Sequence, residues 1–215
     1  MKKELKSFQL NENEIVDIDF WNIRPLITRI PTSLYTTLKQ EVDHLEQNLS
    51  EDNRHNSSLN SKGVSSWYYL KKNKDILKDY VFSVLLNYQN RTDYFKSIRI
   101  LSKNYPYYFG NPLVNFQKKH DFLPYHSHDG VVSYNIWMSI PEDMGTGKFA
   151  GQLQFEYTNI LGELVEYTFN VNKDFEGVMI MFPSKLKHCV YPFYDSDKYR
   201  ISINGNILLG DAPNN

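Results

Sequence analysis

The chain has 215 residues, a formal net charge of −1 and 41% hydrophobic residues, which suits a globular protein with a sizeable core and excludes a disordered chain. The near balance of Lys and Arg against Asp and Glu gives no sign of a nucleic-acid or membrane partner. The single cysteine, Cys189, rules out an intramolecular disulfide and suits a reducing compartment. The start, MKKELKSFQLNENEIVD, lacks the apolar centre of a signal peptide, and no apolar run approaches the roughly 18 residues of a membrane span. A soluble, cytoplasmic protein is expected.

In chain order, EIVDIDF reads as a short strand. PTSLYTTLKQEVDHLEQNL then sets Leu34, Leu38, Val42, Leu45 and Leu49 on one helical stripe, with Pro31 where a first turn tolerates it. SEDNRHNSSLNSKG reads as a polar surface loop. KDILKDYVFSVLLNY predicts a second helix with Ile76, Tyr80, Val81, Val84 and Leu85 on one side, and FKSIRIL a further short strand. From about residue 112 the period becomes two. Strands are expected in PLVNFQ, FLPYHSH, VVSYNIWMSI, GQLQFEYT, LVEYTFNV, GVMIMF, KHCVYPF and YRISINGNI, separated by DGV, PEDMGTGKFAG, NILGE, NKDFEG and YDSDK. Short strands at regular spacing with no helix between them predict a mainly β sandwich or jelly-roll barrel. The expected organisation is one domain over 1–215: a helical flank with edge strands over 1–110 and the β core over 111–210.

Histidine is scarce, with six in the chain, yet two stand one residue apart in PYHSHDG. Alternation on a strand turns His126 and His128 to one face and Ser127 to the other, so both imidazoles can reach one metal ion. Asp129 points away unless the bend that Gly130 permits returns it. His44, on a charged helix face, and His55, in the polar loop, read as solvated, and His120 as a turn residue. His188 opens a strand after the apolar run GVMIMFPS. Treated as a hairpin whose loop centres near Tyr194, HCVYPFYDSDKYRISINGN sets His188 opposite Arg200 on the neighbouring strand. Arg200 and Ser202 share parity and face, and a buried guanidinium beside a hydroxyl suits a carboxylate. Asn115 and Gln117 share a face on the preceding strand, as do Ser133, Asn135 and Trp137 on the one after the metal pair. Of these, Asn115 and Asn135 are candidates to touch a ligand, and Trp137 reads as core. Cys189 reads as a small buried hydrophobe.

HSHDG, the distal His188 and Arg200-x-Ser202 together resemble the iron(II)- and 2-oxoglutarate-dependent dioxygenases, and FPSKLKHCVYPFYDSDKYRISINGN resembles their C-terminal signature. LVNFQKKHDFLPYHSHDGVVSYNIWMSIP resembles the prolyl-hydroxylase-like oxygenases common in phage genomes. The resemblance covers about residues 110–208. It implies a double-stranded β-helix fold, Fe(II) held by a His-x-Asp/Glu pair and a distal His, and 2-oxoglutarate anchored by the arginine and the hydroxyl. Carried over, the ligands are His126 and His188, and the co-substrate anchors are Arg200 and Ser202. His128 occupies the usual acidic position. Parity favours a three-histidine set of His126, His128 and His188 over one completed by Asp129, which then becomes an acceptor orienting one imidazole. A neutral third ligand leaves one more positive charge on the iron site.

The resemblance further implies oxidative decarboxylation of 2-oxoglutarate to succinate and carbon dioxide, coupled to hydroxylation of a small-molecule or peptidyl substrate, with ascorbate as a stimulant. Two other readings stay open at this point: a cupin-like three-histidine metalloenzyme that does not use 2-oxoglutarate, and a non-catalytic jelly-roll binding module. A monomer and a homodimer are equally compatible with the sequence.

Overall fold

The computed structural model describes residues 9–17, 25–55, 66–91, 106–145, 147–159 and 161–210. The strand expected in FKSIRIL and the second half of EIVDIDF lie outside them. In chain order the elements are β1 (Ile15–Asp17), β2 (Leu26–Arg29), α1 (Thr32–Gln47), β3 (Ser66–Tyr69), α2 (Lys74–Arg91), β4 (Tyr107–Phe109), β5 (Leu113–Gln117), β6 (Leu123–His126), β7 (Val132–Ser139), β8 (Leu153–Thr158), β9 (Leu164–Phe169), β10 (Val178–Pro183), β11 (Lys187–Val190) and β12 (Arg200–Leu209).

The chain folds as a double-stranded β-helix. From β5 onward, strands alternate between two antiparallel sheets, except that β8 and β9 pair with each other in one of them. The major sheet runs β1-β2-β10-β7-β12-β5-β3, with β4 pairing the end of β12, and the minor sheet runs β6-β11-β8-β9. All eight strands expected after residue 112 form. β2, β3 and β4, which carry no clean alternation, extend the major sheet from the N-terminal part of the chain.

Alternation along the strands builds two apolar layers. Ile180, Phe182, Trp137, Phe155 and Phe169 fill the space between the sheets. Met179, Met181, Ile136, Ile201 and Ile203 face the other way and pack on the helices. β10 is therefore buried on both faces over its whole length, which is why GVMIMF reads as an unbroken apolar run. Each such side chain taken fully out of water contributes about 1.5–3 kcal/mol.

On α1 the expected stripe holds through Leu34, Leu38 and Val42, but Leu49 lies beyond the helix end and is exposed. On α2 the buried set is Leu77, Val81, Val84, Leu85 and Tyr88, and Ile76 faces solvent, so the expected phase is off by one position at its start. Two apolar residues in a row leave that phase open, and packing on the sheet decides it. Glu41 joins the helices. Buried on α1, its carboxylate accepts from the backbone N–H groups of Lys71 and Lys72 at 2.8 Å and of Asn73 at 2.9 Å, the three residues that lead into α2. No helix of the described residues is long and apolar enough to cross a membrane.

Candidate metal and carboxylate site

The sheets splay apart around a cavity of about 520 Å³ that reaches His126, His128, His188, Arg200, Ser202, Asn115 and Asn135. The structure thus brings together all seven residues singled out by the sequence.

His126 and His188 are directly opposite each other in the β6–β11 ladder. His128 follows β6, and its backbone N–H donates to the Ser184 carbonyl at 2.8 Å, which ties the segment to the end of β10. Gly130 then turns the chain with φ +120°, and a Cβ there would stand 2.9 Å from the Ile207 carbonyl oxygen, so the HSHDG turn requires glycine. The ring centroids lie 4.3 Å apart for His126 and His188, and 5.0 Å for both His128 and His188 and His126 and His128. One potential ligand atom from each residue lies within 4.8 Å of the other two, close to what a shared ion at bond lengths near 2 Å requires.

Hydrogen bonds fix which nitrogens face inward. His126 Nδ1 lies 2.7 Å from the Pro124 carbonyl and His188 Nδ1 lies 2.9 Å from that of Leu186. A carbonyl only accepts, so both Nδ1 atoms carry the proton and both Nε2 lone pairs are left for a ligand. His128 Nε2 approaches His188 Nε2 to 3.2 Å. Burial is the main cause that lowers all three imidazole pKa values, that of His128 to about 4 and that of His188 well below its ordinary value. Neutral imidazole is the form a metal binds. Asp129 borders the same cavity, but its side chain is 99% exposed and pairs with Lys185 Nζ at 3.2 Å. It is the imidazole of His128 that faces the other two rings.

The carboxylate side of the cavity rests on three adjacent strands of the major sheet. Arg200 is opposite Gln117, and Ser202 opposite Asn115, in the β5–β12 ladder; on the other side of β12, Ser202 is opposite Trp137 of β7 and Asn204 is opposite Asn135. Arg200 is buried, and its Nη1 donates to Gln117 Oε1 at 3.2 Å. Gln117 is held in turn by its own Nε2, which donates to the Asp121 carbonyl at 2.8 Å. Burial lowers the Arg200 pKa to about 10, so the guanidinium stays charged at neutral pH. No carboxylate pairs with it among the described residues.

The hairpin expected between His188 and Arg200 does not form. β11 lies in the minor sheet and β12 in the major one, and the two residues face the same cavity from opposite walls. His55 also differs from expectation. Its Nδ1 lies 2.7 Å from Tyr69 Oη, its ring stacks on Trp67 with centroids 6.2 Å apart, and both rings line the cavity. Polar-loop composition gives no signal for this, because the contact depends on β3 joining the sheet. Asn204 and Asn206, further lining residues, continue the parity of Arg200 and Ser202 and were legible from that alternation. His120 sits in a turn with φ +68°, and His44 is exposed, both as expected.

Hydrogen-bond satisfaction in the cavity is unusual. Arg200 Nε, Trp137 Nε1, Trp67 Nε1 and Asn115 Oδ1 are buried without a partner among the described residues, and all four residues line this cavity. Buried polar atoms are nearly always paired. Unpaired groups gathered on one wall fit a site that a polar ligand completes.

Residues 113–206 match the family described as "Putative 2OG-Fe(II) oxygenase", which bears out over that segment the resemblance carried by HSHDG, His188 and Arg200-x-Ser202. The fold is similar to a prolyl-4-hydroxylase from Pseudomonas putida, with 12% identity, a TM-score of 0.53 and coverage of 86% of this chain and 91% of that one. It is also similar to a prolyl hydroxylase from Trichoplax adhaerens, solved with a hypoxia inducible factor peptide fragment, at 18% identity and a TM-score of 0.53, covering 94% of this chain and 86% of the other. A viral collagen prolyl hydroxylase from Paramecium Bursaria Chlorella virus-1, in complex with 2OG, aligns at 13% identity and a TM-score of 0.50, over 87% and 96% of the two chains. No curated protein matches the sequence.

Proposed function

We propose that the protein is a non-haem Fe(II)- and 2-oxoglutarate-dependent oxygenase that hydroxylates an uncharged substrate and releases succinate and carbon dioxide. The observation that carries this reading is the pairing, in one cavity, of three converging neutral imidazoles with a buried guanidinium that lacks an acidic partner.

The donor set suits Fe(II). Imidazole nitrogens from three residues on one side leave the other side open for substrates. When bound, the iron supplies oxygen activation coupled to decarboxylation of the oxoacid. His126, His128 and His188 hold it, with the first and last oriented by the Pro124 and Leu186 carbonyls. Arg200 and Ser202 take the distal carboxylate of 2-oxoglutarate, and Gln117 keeps the guanidinium turned inward. Asn115 and Asn135 flank that position from the neighbouring strands and orient the bound dicarboxylate or the substrate beside it. The minor sheet and the apolar rings of Phe155 and Phe182 beside His188 keep bulk water from the reacting centre.

Beyond Arg200, the cavity lining is neutral except for Asp129 at its border. A free amino acid or a nucleotide brings charges that need buried opposite charges there. Amide side chains (Asn111, Asn135, Asn204, Asn206) and the His55–Trp67 pair instead suit a neutral hydrogen-bonding group, either in a small molecule or within a peptide.

The test is succinate formation from 2-oxoglutarate by protein loaded with Fe(II), with ascorbate as reductant, first alone and then with uncharged amides and peptides. Oxygen-dependent succinate release that is lost with Arg200→Ala is the expected result. Iron-loaded protein that leaves 2-oxoglutarate unbound and intact contradicts the reading and favours a three-histidine metalloprotein of another kind.

A further inference from the structure

We infer that Trp137, an apparent core tryptophan, is a co-substrate-binding residue: its indole N–H donates to the same carboxylate that Arg200 and Ser202 hold. The inference rests on the proposed 2-oxoglutarate reading and adds a residue to it.

Three observations place the indole there. Trp137 is 0% exposed, yet it lines the cavity and its Nε1 has no hydrogen-bond partner among the described residues. An indole N–H is a donor only, so the group that completes it is an acceptor. It lies directly opposite Ser202 in the β7–β12 ladder, where facing Cβ atoms stand about 5 Å apart.

That placement depends on a bulge. The ladder pairs Ile201 with Ser139 but Ser202 with Trp137, so Met138 is the extra residue on β7. Were the pairing of Ile201 simply continued, Met138 would be opposite Ser202 and Trp137 opposite Ile203. Ile203 and Met138 both pack on the helix side of the sheet, whereas Trp137 belongs to the inner layer. The bulge sets the indole in the row of Ser202, the kind of re-aiming bulges provide beside functional sites.

The donor balance then names the ligand. Across the row Trp67–Asn115–Ser202–Trp137, with Arg200 next to it, the unsatisfied groups are two indole N–H donors and the guanidinium Nε–H against one amide oxygen. A surplus of buried donors calls for an acceptor-rich guest, and a carboxylate offers about four acceptor positions. The Arg200 fork and the Ser202 hydroxyl leave one of them for Trp137. Trp67 lies two strands from Ser202, on the far side of Asn115, and serves as the internal reference.

The experiment follows the indole N–H signals of the 15N-labelled, Zn(II)-loaded full chain by NMR. The chain has three tryptophans, and Trp137→Phe and Trp67→Phe assign two of the signals. On titration with 2-oxoglutarate, the Trp137 signal is expected to move downfield while that of Trp67 moves less. Succinate, which keeps the distal carboxylate, reproduces the shift, and 2-oxobutyrate, which lacks it, does not. Trp137→Phe is expected to weaken 2-oxoglutarate binding about tenfold, the effect of one hydrogen bond to a charged group. Backbone signals that report 2-oxoglutarate binding while the Trp137 indole stays in place overturn the inference and leave the co-substrate reading intact. A titration in which no signal moves removes both. The shift is read on the wild-type chain, so the outcome does not depend on how well the variant folds.

Discussion

His188 and Arg200 lie on different sheets and face one another across a single cavity. The imidazole is anchored through the Leu186 carbonyl and the guanidinium through Gln117. Each wall thus contributes one half of the proposed chemistry, metal on the minor sheet and carboxylate on the major one.

That division makes the two halves separable by mutation. Arg200→Ala is expected to weaken 2-oxoglutarate binding about a hundredfold, the combined effect of one or two charge-assisted hydrogen bonds, while metal stoichiometry stays at the wild-type value. Calorimetric titration of the zinc-loaded protein measures the first and metal analysis the second. Equal loss of both would mean that Arg200 supports the fold around the metal and not the co-substrate.

Arg200 also has a testable effect on stability. Its pKa is lowered to about 10 by burial, so the charged form is disfavoured in the folded state. The penalty is complete below about pH 10 and relieved only as pH rises above that value. Between pH 6 and 8 it is constant. Arg200→Met, which keeps the volume and removes the charge, is therefore expected to leave the melting temperature of the ligand-free protein unchanged or raised, and to abolish the stabilisation that 2-oxoglutarate gives. A clear fall in the ligand-free melting temperature would indicate a satisfied structural arginine.

Glu41→Gln tests the link between the helices. The carboxylate accepts three backbone N–H bonds and one from Asn73 Nδ2 at 2.9 Å, and a neutral amide has one acceptor oxygen in place of two. A loss of about 1–3 kcal/mol in unfolding free energy is expected, read by denaturant titration, with metal content unchanged. A loss below about 0.3 kcal/mol, in the range of a surface substitution, would show that the cap contributes little.

Gly205 tests the packing behind the cavity strand. A Cβ at that position would stand 2.5 Å from Tyr134 Oη and 2.9 Å from its Cζ. Gly205→Ala is expected to destabilise the fold by about 1–3 kcal/mol, and Tyr134→Phe, which removes the hydroxyl, to recover part of that loss in the double variant. Additive effects of the two substitutions would place the strain elsewhere.

The sequence made the chemistry more legible than the scaffold. Alternation alone put His126 with His128 and Arg200 with Ser202, because a period of two is local and the strands are regular. The convergence of His188 with Arg200 was reached through a hairpin that does not exist; the pairing of β11 with β6 and β8 is non-local and leaves no mark in either segment. For the same reason the role of β3, and with it the place of His55 and Trp67 on the cavity wall, was hidden. Trp137 read as core because it is apolar in composition and buried in fact; only the unpaired Nε1 and the bulge at Met138 separate it from an ordinary core residue.

The most direct test of the central claim compares iron bound per chain, by elemental analysis after reconstitution and desalting, in the wild type, His128→Ala and Asp129→Ala. The expected result is one iron per chain in the wild type and in Asp129→Ala, and essentially none in His128→Ala. Iron retained by His128→Ala but lost from Asp129→Ala would contradict a site built from three imidazoles.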